Sequence, residues 1–449
     1  MELSKGCAYV LATLERSGYE AYAVGGCVRN YLLGIKPKDY DVATSALPDN
    51  ILSVFKDLEL ITNGIKHGTV TVVVNDEQIE ITAFRSDGEY SDCRHPNAVR
   101  IGVSLKEDLS RRDFTANAIA YNPKSGIIDP FGGAEDIKKG VLRCVGEPDK
   151  RFSEDALRIM RALRFSAQYR FKIDSATAHS IHKNKGLLKK IAVERVFAEL
   201  SLLLCGDLAG ELLVEYCDVF SVIIPQFADC KELYLTGENH SQSLLKHIAR
   251  AVDAISPSLD LRLAMLLHDI AKPLCIVLGK DGQQSFPRHG EKSAELAEEI
   301  LKSLKAPREL IKQVCLLCKY HDVHCETEIE IKRLMRDIGS EIALKILSEV
   351  RRADILAQNG CDKLNRLNRL AHSAELCREL IDKQACVSIK QLKISGDDLL
   401  SLGYSRGIAL GQALSLLLNE VIDGKLVNDR DSLIIRAKEL IGEINSHCP

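Results

Sequence analysis

The chain has 449 residues, 46% of them hydrophobic and 27% charged, with a formal net charge of −3. That length supports roughly two to four domains with real cores, and the balance is that of a soluble globular protein rather than a disordered or uniformly basic one. No apolar run approaches the roughly 18 residues that span a bilayer, and Met1–Lys5 lacks the layout of a signal peptide, so the cytoplasm is the expected compartment and no membrane partner is expected.

In chain order, Leu3–Arg16 reads as an amphipathic helix. Ala21–Val24 is a short strand ending in Gly25-Gly26, and Cys27–Leu33 a helix that stops at Gly34. Asp39–Ala43 is a strand, and Pro48 opens another helix. Thr69–Val74 and Gln78–Phe84 form a hairpin around the polar tip Asn75-Asp76-Glu77. Ile127–Ile128 and Val141–Cys144 are further strands. After Pro148 the apolar period becomes helical almost to the end. The expected architecture is an α/β head over residues 1–145, a helical neck over 146–240, and a helical body divided into 241–360 and 361–449.

The head carries paired acids. Asp39 and Asp41 stand two apart on a predicted strand and so share a face. Glu80 lies on another strand, on the face opposite Ile79, Ile81 and Ala83. Read alone, an acid pair of this kind is an ordinary solvated strand edge. Three carboxylates on adjacent strands, however, repel one another unless a cation joins them, and hard oxygen donors suit Mg²⁺. In phosphoryl transfer such a site acidifies the attacking hydroxyl and neutralises the leaving pyrophosphate. Upstream, Gly25 and Gly26 let the backbone approach a phosphate at a helix start, with Arg29 one turn later.

Two later segments extend the pattern. Arg111-Arg112-Asp113-Phe114-Thr115-Ala116-Asn117-Ala118 opens with two bases and an acid. In Glu154–Phe165, the residues Asp155, Arg158, Arg161 and Arg164 recur every third position and share neighbouring faces if the segment is one helix. Cytosine and adenine each present an amino donor beside a ring-nitrogen acceptor. A carboxylate with a guanidinium, Asp155 with Arg158, accepts both bases and clashes with uracil and guanine.

The run GGCVRNYLLGIKPKDYDVATSA resembles the catalytic signature of the polymerase-β-like superfamily, in the branch of class II CCA-adding enzymes and bacterial poly(A) polymerases. Asn30 departs from it, standing where that branch usually has Asp. The resemblance implies that Arg112 contacts nucleotide phosphates and that Asp113 and Asn117 hold the sugar. It also implies that Asp155 and Arg158 read the base, with Arg161 and Arg164 as further nucleotide-site residues. Phe84–Pro96 resembles the loop this family uses to add the terminal A. The implied reaction is template-independent addition of CCA to tRNA 3′ ends from CTP and ATP. A poly(A) polymerase and an A-only adding enzyme share the same head motifs and stay open.

A second centre is outlined in the body by His247, His268, Asp269 and Asp354. The run LLHDIAKP is similar to the HD phosphohydrolase signature, and two imidazoles with two carboxylates suit a divalent transition metal with room for water. His289 and His321 are candidate ligands for a second ion. A different class of function follows from this centre alone: an HD-domain phosphohydrolase acting on RNA ends or nucleotides. The chain has 15 cysteines. Cys315 and Cys318 have CxxC spacing, but their apolar neighbours favour a buried helix over a zinc site. Ile394–Leu400 and Leu402-Gly403-Tyr404 resemble the tail of HD-containing tRNA nucleotidyltransferases. Oligomeric state is not legible.

Overall fold

The computed structural model describes residues 1–88, 99–237, 240–280, 282–360 and 362–445. Residues 89–96 of the predicted A-adding loop lie outside them. The chain divides into two compact units, residues 1–228 with 303–305, and residues 229–302 with 306–449. The head and residues 146–228 of the expected neck fall within the first unit, while residues 229–240 belong to the second. No helix among the described residues is long and apolar enough to cross a membrane.

The first unit is an α/β head continued by helices. Its elements begin with α1 (Lys5–Arg16), β1 (Ala21–Val24), α2 (Gly26–Leu32), β2 (Asp41–Thr44) and α3 (Pro48–Val54). Then come β3 (Glu59–Ile61), β4 (Thr69–Val74) and β5 (Glu77–Ala83). The short pair β6 (Arg85–Asp87) and β7 (Val99–Ile101) precedes α4 (Leu105–Ser110), β8 (Ala120–Asn122) and β9 (Gly126–Ile128). The main sheet runs β3-β4-β5-β2-β1-β8-β9. Its strands are antiparallel except for β2 and β5, which are parallel. The β4–β5 hairpin turns at Asn75 and Asp76, with φ of 52° and 61°. Two left-handed residues make the tight connection that matches strand twist, and Asn and Asp tolerate that conformation best after glycine. The predicted tip residue Glu77 belongs to β5 instead.

Register sets the acid cluster. Asp41 pairs with Glu80 and Ala43 with Thr82, so these share one face of the sheet, while Val42 and Ile81 share the other and are fully buried. A slip of one residue would put both acids in the core. Asp39 was expected on the same strand, but β2 begins at Asp41. Asp39 lies in the exposed connection just before it, after Pro37 has interrupted regular pairing.

Beyond the sheet come α5 (Gly133–Lys139), α6 (Pro148–Glu154) and α7 (Leu157–Tyr169). The segment 154–165 was expected as one helix, and it is broken. Asp155 is extended, at φ −139° and ψ 102°, and its Oδ1 accepts from the Leu157 N–H at 3.1 Å. The aspartate ends α6 and caps the start of α7, the position where a short acid competes best with backbone bonding. The unit continues with α8 (Ser175–Asn184), α9 (Val193–Leu204), α10 (Ala209–Glu215) and α11 (Cys217–Ile223).

The second unit is nearly all helical. Two short antiparallel pairs, Tyr234–Gly237 with His240–Ser243 and Val277–Leu278 with Gln284–Ser285, were not expected from the sequence. Cys315 and Cys318 sit in the helix Arg308–Lys319, where the buried Cys318 Sγ donates to the Ala264 carbonyl at 3.5 Å. A C-terminal core forms around Leu399, Leu417, Leu433 and Ala437, and Tyr404 donates its hydroxyl to the Ala437 carbonyl at 2.7 Å.

Helix α5 braces the 3-10 turn Thr115–Asn117. The Thr115 hydroxyl bonds Asp136 at 2.7 Å, and a Cβ at Gly133 would run into the Thr115 carbonyl. Gly133→Ala should therefore destabilise the first unit by about 1–3 kcal/mol, the usual range for overpacking. Denaturant unfolding of the full chain checks this; an unchanged midpoint would show that the contact relaxes freely.

Candidate active site

The acids, the glycines and the arginine-bearing helix meet in one cleft of about 740 Å³. Gly25, Arg29, Asp39, Asp41, Arg112 and Asp113 line it from the head, and Asp155, Arg158, Arg161 and Arg164 from α6 and α7. Asp41 is open to solvent, yet it stands low between neighbouring elements. That enclosure, then Glu80 and Asp39, push its carboxyl above the usual range against the pull of Arg112. Glu80 flanks Asp41 from β5 and is not part of the cleft lining. Crowded oxygen donors of this kind fit Mg²⁺ by their chemistry.

Gly25 adopts φ 72° and ψ −126°, a conformation only glycine holds readily. A Cβ there would come within 2.9 Å of Arg112 Nη1, so the arginine lies against bare backbone at the start of α2. Arg111 and Arg112 are both anchored on Asp108, at 2.7 and 3.4 Å. Burial would raise the Asp108 carboxyl, but the two arginines outweigh it and hold it below the ordinary value.

A continuous hydrogen-bonded chain runs along the wall of the cleft. Arg161 donates to Asp113 Oδ2 through Nε at 2.9 Å and Nη2 at 2.6 Å. Asp113 Oδ1 accepts from Asn117 at 2.9 Å, and Asn117 Oδ1 accepts from Arg29 Nη1 at 2.6 Å. Burial works against the Asp113 charge, but Arg161 and Asn117 prevail and hold its pKa at about 2. Arg29 reaches Asn30 Oδ1 through Nε at 3.2 Å and Nη2 at 3.0 Å, and Nη2 also donates to the Tyr169 hydroxyl at 2.7 Å. The amide oxygen of Asn30 thus takes the guanidinium fork that a carboxylate would take, so the missing charge does not misplace Arg29.

Asp155 and Arg158 both face the cleft but are not paired as helix neighbours. Arg158 spends three N–H bonds on Glu154 at 2.8 Å, the Arg151 carbonyl at 3.1 Å and the Arg111 carbonyl at 2.9 Å. The second Asp155 oxygen has only a 3.4 Å contact with Arg195. Arg164 pairs with the buried Glu199 at 3.0 Å and lies over the Phe165 ring at 4.2 Å. Sequence reading missed Asp108, Tyr169, Arg195 and Glu199. The available signals were Glu199 amid the apolar residues of α9 and an aspartate three and four positions before Arg111 and Arg112.

In the second unit, His247, His268, Asp269 and Asp354 converge as expected, and His289 and His321 join them. Asp269 Oδ2 lies 3.2 Å from both His247 Nε2 and His268 Nε2, and Oδ1 lies 3.3 and 3.4 Å from His289 and His321 Nε2. Asp354 approaches His247 at 3.1 Å. His268, His289 and His321 turn Nδ1 toward the carbonyls of Met265, Phe286 and Cys318 at 2.7–2.8 Å. Those bonds fix the tautomer and aim each Nε2 lone pair inward, the arrangement that metal-binding imidazoles require. Lys272 bonds Asp269 at 2.6 Å, and Asp322 adds a carboxylate beside His289 and His321. Neither was expected from the sequence.

A mixed sheet presenting acids opposite an arginine-lined helix defines a nucleotidyltransferase head. Family models agree: a poly A polymerase head domain matches residues 21–143, a probable RNA and SrmB-binding site of polymerase A matches 170–231, and a putative tRNA nucleotidyltransferase domain 2 matches 290–437. The CCA-adding enzyme of Ligilactobacillus salivarius is 34% identical across 97% of this chain and 96% of its own. That of Geobacillus sp. strain WCH70 is 35% identical across 94% of each. The structure of a Bacillus stearothermophilus CCA-adding enzyme in complex with CTP superimposes with a TM-score of 0.71, at 26% identity and 98% coverage of both chains. The chain belongs to the CCA-adding enzyme family.

The Asn30 geometry makes a sharp prediction. Asn30→Asp keeps the acceptor and should change nucleotide-addition kcat/KM by less than about threefold. Asn30→Ala releases two N–H groups of Arg29 and should lower it at least about tenfold, in line with losing a charge-assisted bond. Steady-state kinetics on the two variants separates these outcomes.

Proposed function

We propose that this chain extends tRNA 3′ ends with C, C and A, taking CTP and then ATP without a nucleic-acid template. The observation that carries this reading is the shared cleft, in which Asp39 and Asp41 face the same space as Asp155 and Arg158. The full-length relatives named for this activity support it. Asp39 and Asp41, with Glu80 alongside, are the residues that would hold Mg²⁺, whose chemistry here is to acidify the 3′-hydroxyl and offset charge on the departing pyrophosphate. Gly25 leaves room at the start of α2 for Arg112 to meet the triphosphate. Asp155 offers its oxygen edge to an exocyclic amine, and Arg158 has only the N–H groups left over from its protein bonds to give a ring nitrogen. With both partners rigidly held, uracil or guanine would leave buried polar groups unpaired, which discriminates by far more than shape alone.

CCA-less tRNA supplied with each triphosphate in turn, followed by sequencing of the product ends, tests this reading. CTP should be used first, and ATP only after two cytidines. Incorporation of ATP alone would instead make the chain a poly(A) or A-only adding enzyme. Asp41→Ala should reduce addition to background.

The imidazole cluster supports a second activity, hydrolysis of phosphoesters of nucleotides or RNA ends. Two sets of nitrogen ligands sit on the two oxygens of Asp269, a donor set that fits a pair of divalent transition ions. Ions held there by His247, His268, Asp354, His289 and His321 would supply an activated water. Asp269→Asn should abolish divalent-metal-dependent phosphate release while leaving nucleotide addition within about twofold. Undiminished hydrolysis in that variant would remove the second reading.

A further inference from the structure

We propose that Arg351 and Arg366 form a second phosphate subsite beside the histidine–aspartate centre. That centre then takes a nucleoside 3′-phosphate carrying another phosphate on its 5′ side, as the 3′-phosphorylated end of an RNA strand does. The inference rests on the hydrolytic reading of the centre given above.

The arginines are fixed to the metal-ligand set by the fold. Arg351, Asp354 and Gln358 fall at i, i+3 and i+7, one face of the helix Arg351–Ala357 and its cap. A π-helical turn at Ile346–Val350 comes immediately before and resets which residues that face presents, a feature frequent at functional sites. Gln358, almost fully buried, donates to Asp354 Oδ2 at 2.9 Å, and its own oxygen accepts from Arg366 Nη1. Arg366, on the helix Lys363–Asp382, is therefore one amide away from a carboxylate of the centre.

Neither guanidinium bonds a carboxylate directly, although Asp354 and Asp322 lie near enough to act on Arg351. Arg351 donates to His324 Nδ1 at 3.1 Å, and Arg366 to the Gln358 amide; both acceptors are neutral. Among the described residues no carboxylate forms an ion pair with either arginine. Burial presses the Arg351 pKa down and Arg366 adds to that, against the pull of Asp354. Two half-buried cations whose hydrogen-bond partners are neutral keep donor groups for an anion, and a guanidinium fork matches a phosphate.

The cavities give the direction. A recess of about 240 Å³ is lined by His289, His321, Asp322 and Asp354 together with Arg351 and Arg366. It is smaller than the roughly 300 Å³ at which ligand pockets usually begin. A second recess shares Arg351 and Arg366 in its lining and continues to Glu326 and Arg369, which pair at 3.7 Å. A phosphate seated at the imidazoles thus leaves the rest of its molecule to run outward along the arginine wall. In the reaction, water adds to phosphorus and the bond to the 3′ oxygen breaks. The proton from water ends on that oxygen, giving inorganic phosphate and a 3′-hydroxyl.

The test uses the full chain with Mn²⁺ and three substrates: adenosine 3′-phosphate, adenosine 3′,5′-bisphosphate and the dinucleotide ApAp with a 3′-phosphate. Phosphate release from the last two should exceed the first at least tenfold in kcat/KM, through KM. Arg351→Ala and Arg366→Gln should each cut that advantage below threefold while leaving adenosine 3′-phosphate within threefold. An ApAp advantage over the bisphosphate assigns the source to an RNA end; equality assigns it to any 5′-phosphorylated nucleotide. Calorimetric binding of ApAp to chelator-treated protein gives a readout independent of turnover, and each variant should lower the log–log salt slope by roughly 0.7. Equal use of all three substrates, or an equal loss on all three in the variants, overturns the subsite. If wild type releases no phosphate from any of them, the hydrolytic reading falls, and unchanged calorimetry in the variants then overturns the subsite separately. Thermal unfolding, and Arg351→Lys as a charge-keeping variant, separate misfolding from loss of the anion contact.

Discussion

The cleft of the first unit depends on a buried carboxylate, Asp113, that accepts from Arg161 and from Asn117 at once. A triphosphate site needs several arginines close together, and arginines close together repel. The chain answers this with buried acids, Asp113 in the cleft wall and Asp108 and Glu199 outside its lining. Asp108 backs Arg111 and Arg112, Asp113 backs Arg161, and Glu199 backs Arg164. Each guanidinium keeps a fixed direction without its outward edge being neutralised. Removing one partner of such a buried pair costs several times what the pair contributes, since the remaining charge cannot leave.

The second unit solves the opposite problem. There one buried carboxylate, Asp269, is surrounded by four imidazole nitrogens at 3.2–3.4 Å. Backbone carbonyls hold three of the rings in one tautomer, so the cluster is organised before any ligand arrives. Both units use buried hydrogen bonds for preorganisation, in one case of guanidinium groups lining a cleft and in the other of imidazole nitrogens around one carboxylate. In each, a neutral amide completes the network: Asn117 joins Asp113 to Arg29, and Gln358 joins Asp354 to Arg366. An amide can do this because it donates at one end and accepts at the other.

Much of this was legible in one dimension. The acids of β2 and β5, the glycine step at Gly25 and the arginine repeat of α7 are local patterns, and local patterns follow from strand and helix periods. The imidazole ligands were legible because a His-Asp pair ending an apolar helix is hard to explain as surface. What misled was also local. A three-residue spacing from Asp155 to Arg164 suggested one continuous helix, yet Asp155 caps the helix that follows it. Asp39 seemed to belong to the strand because it stands two residues from Asp41, but Pro37 delays the pairing.

From the amino-acid order alone come the chemistry of the head, the division into an α/β part and a helical part, and most of the ligand set in the body. These rest on side-chain type and short spacing, which the chain carries in itself. Only the tertiary structure decided who holds whom: that Asn30 still grips Arg29, that Glu199 from α9 meets Arg164, and that Arg351 and Arg366 bond neutral partners near Asp354. Such partners are separated by tens to hundreds of residues or chosen by helix packing and by a π turn. A hydrogen bond depends on position to within a fraction of an ångström, which no pattern of residue types along a chain can specify.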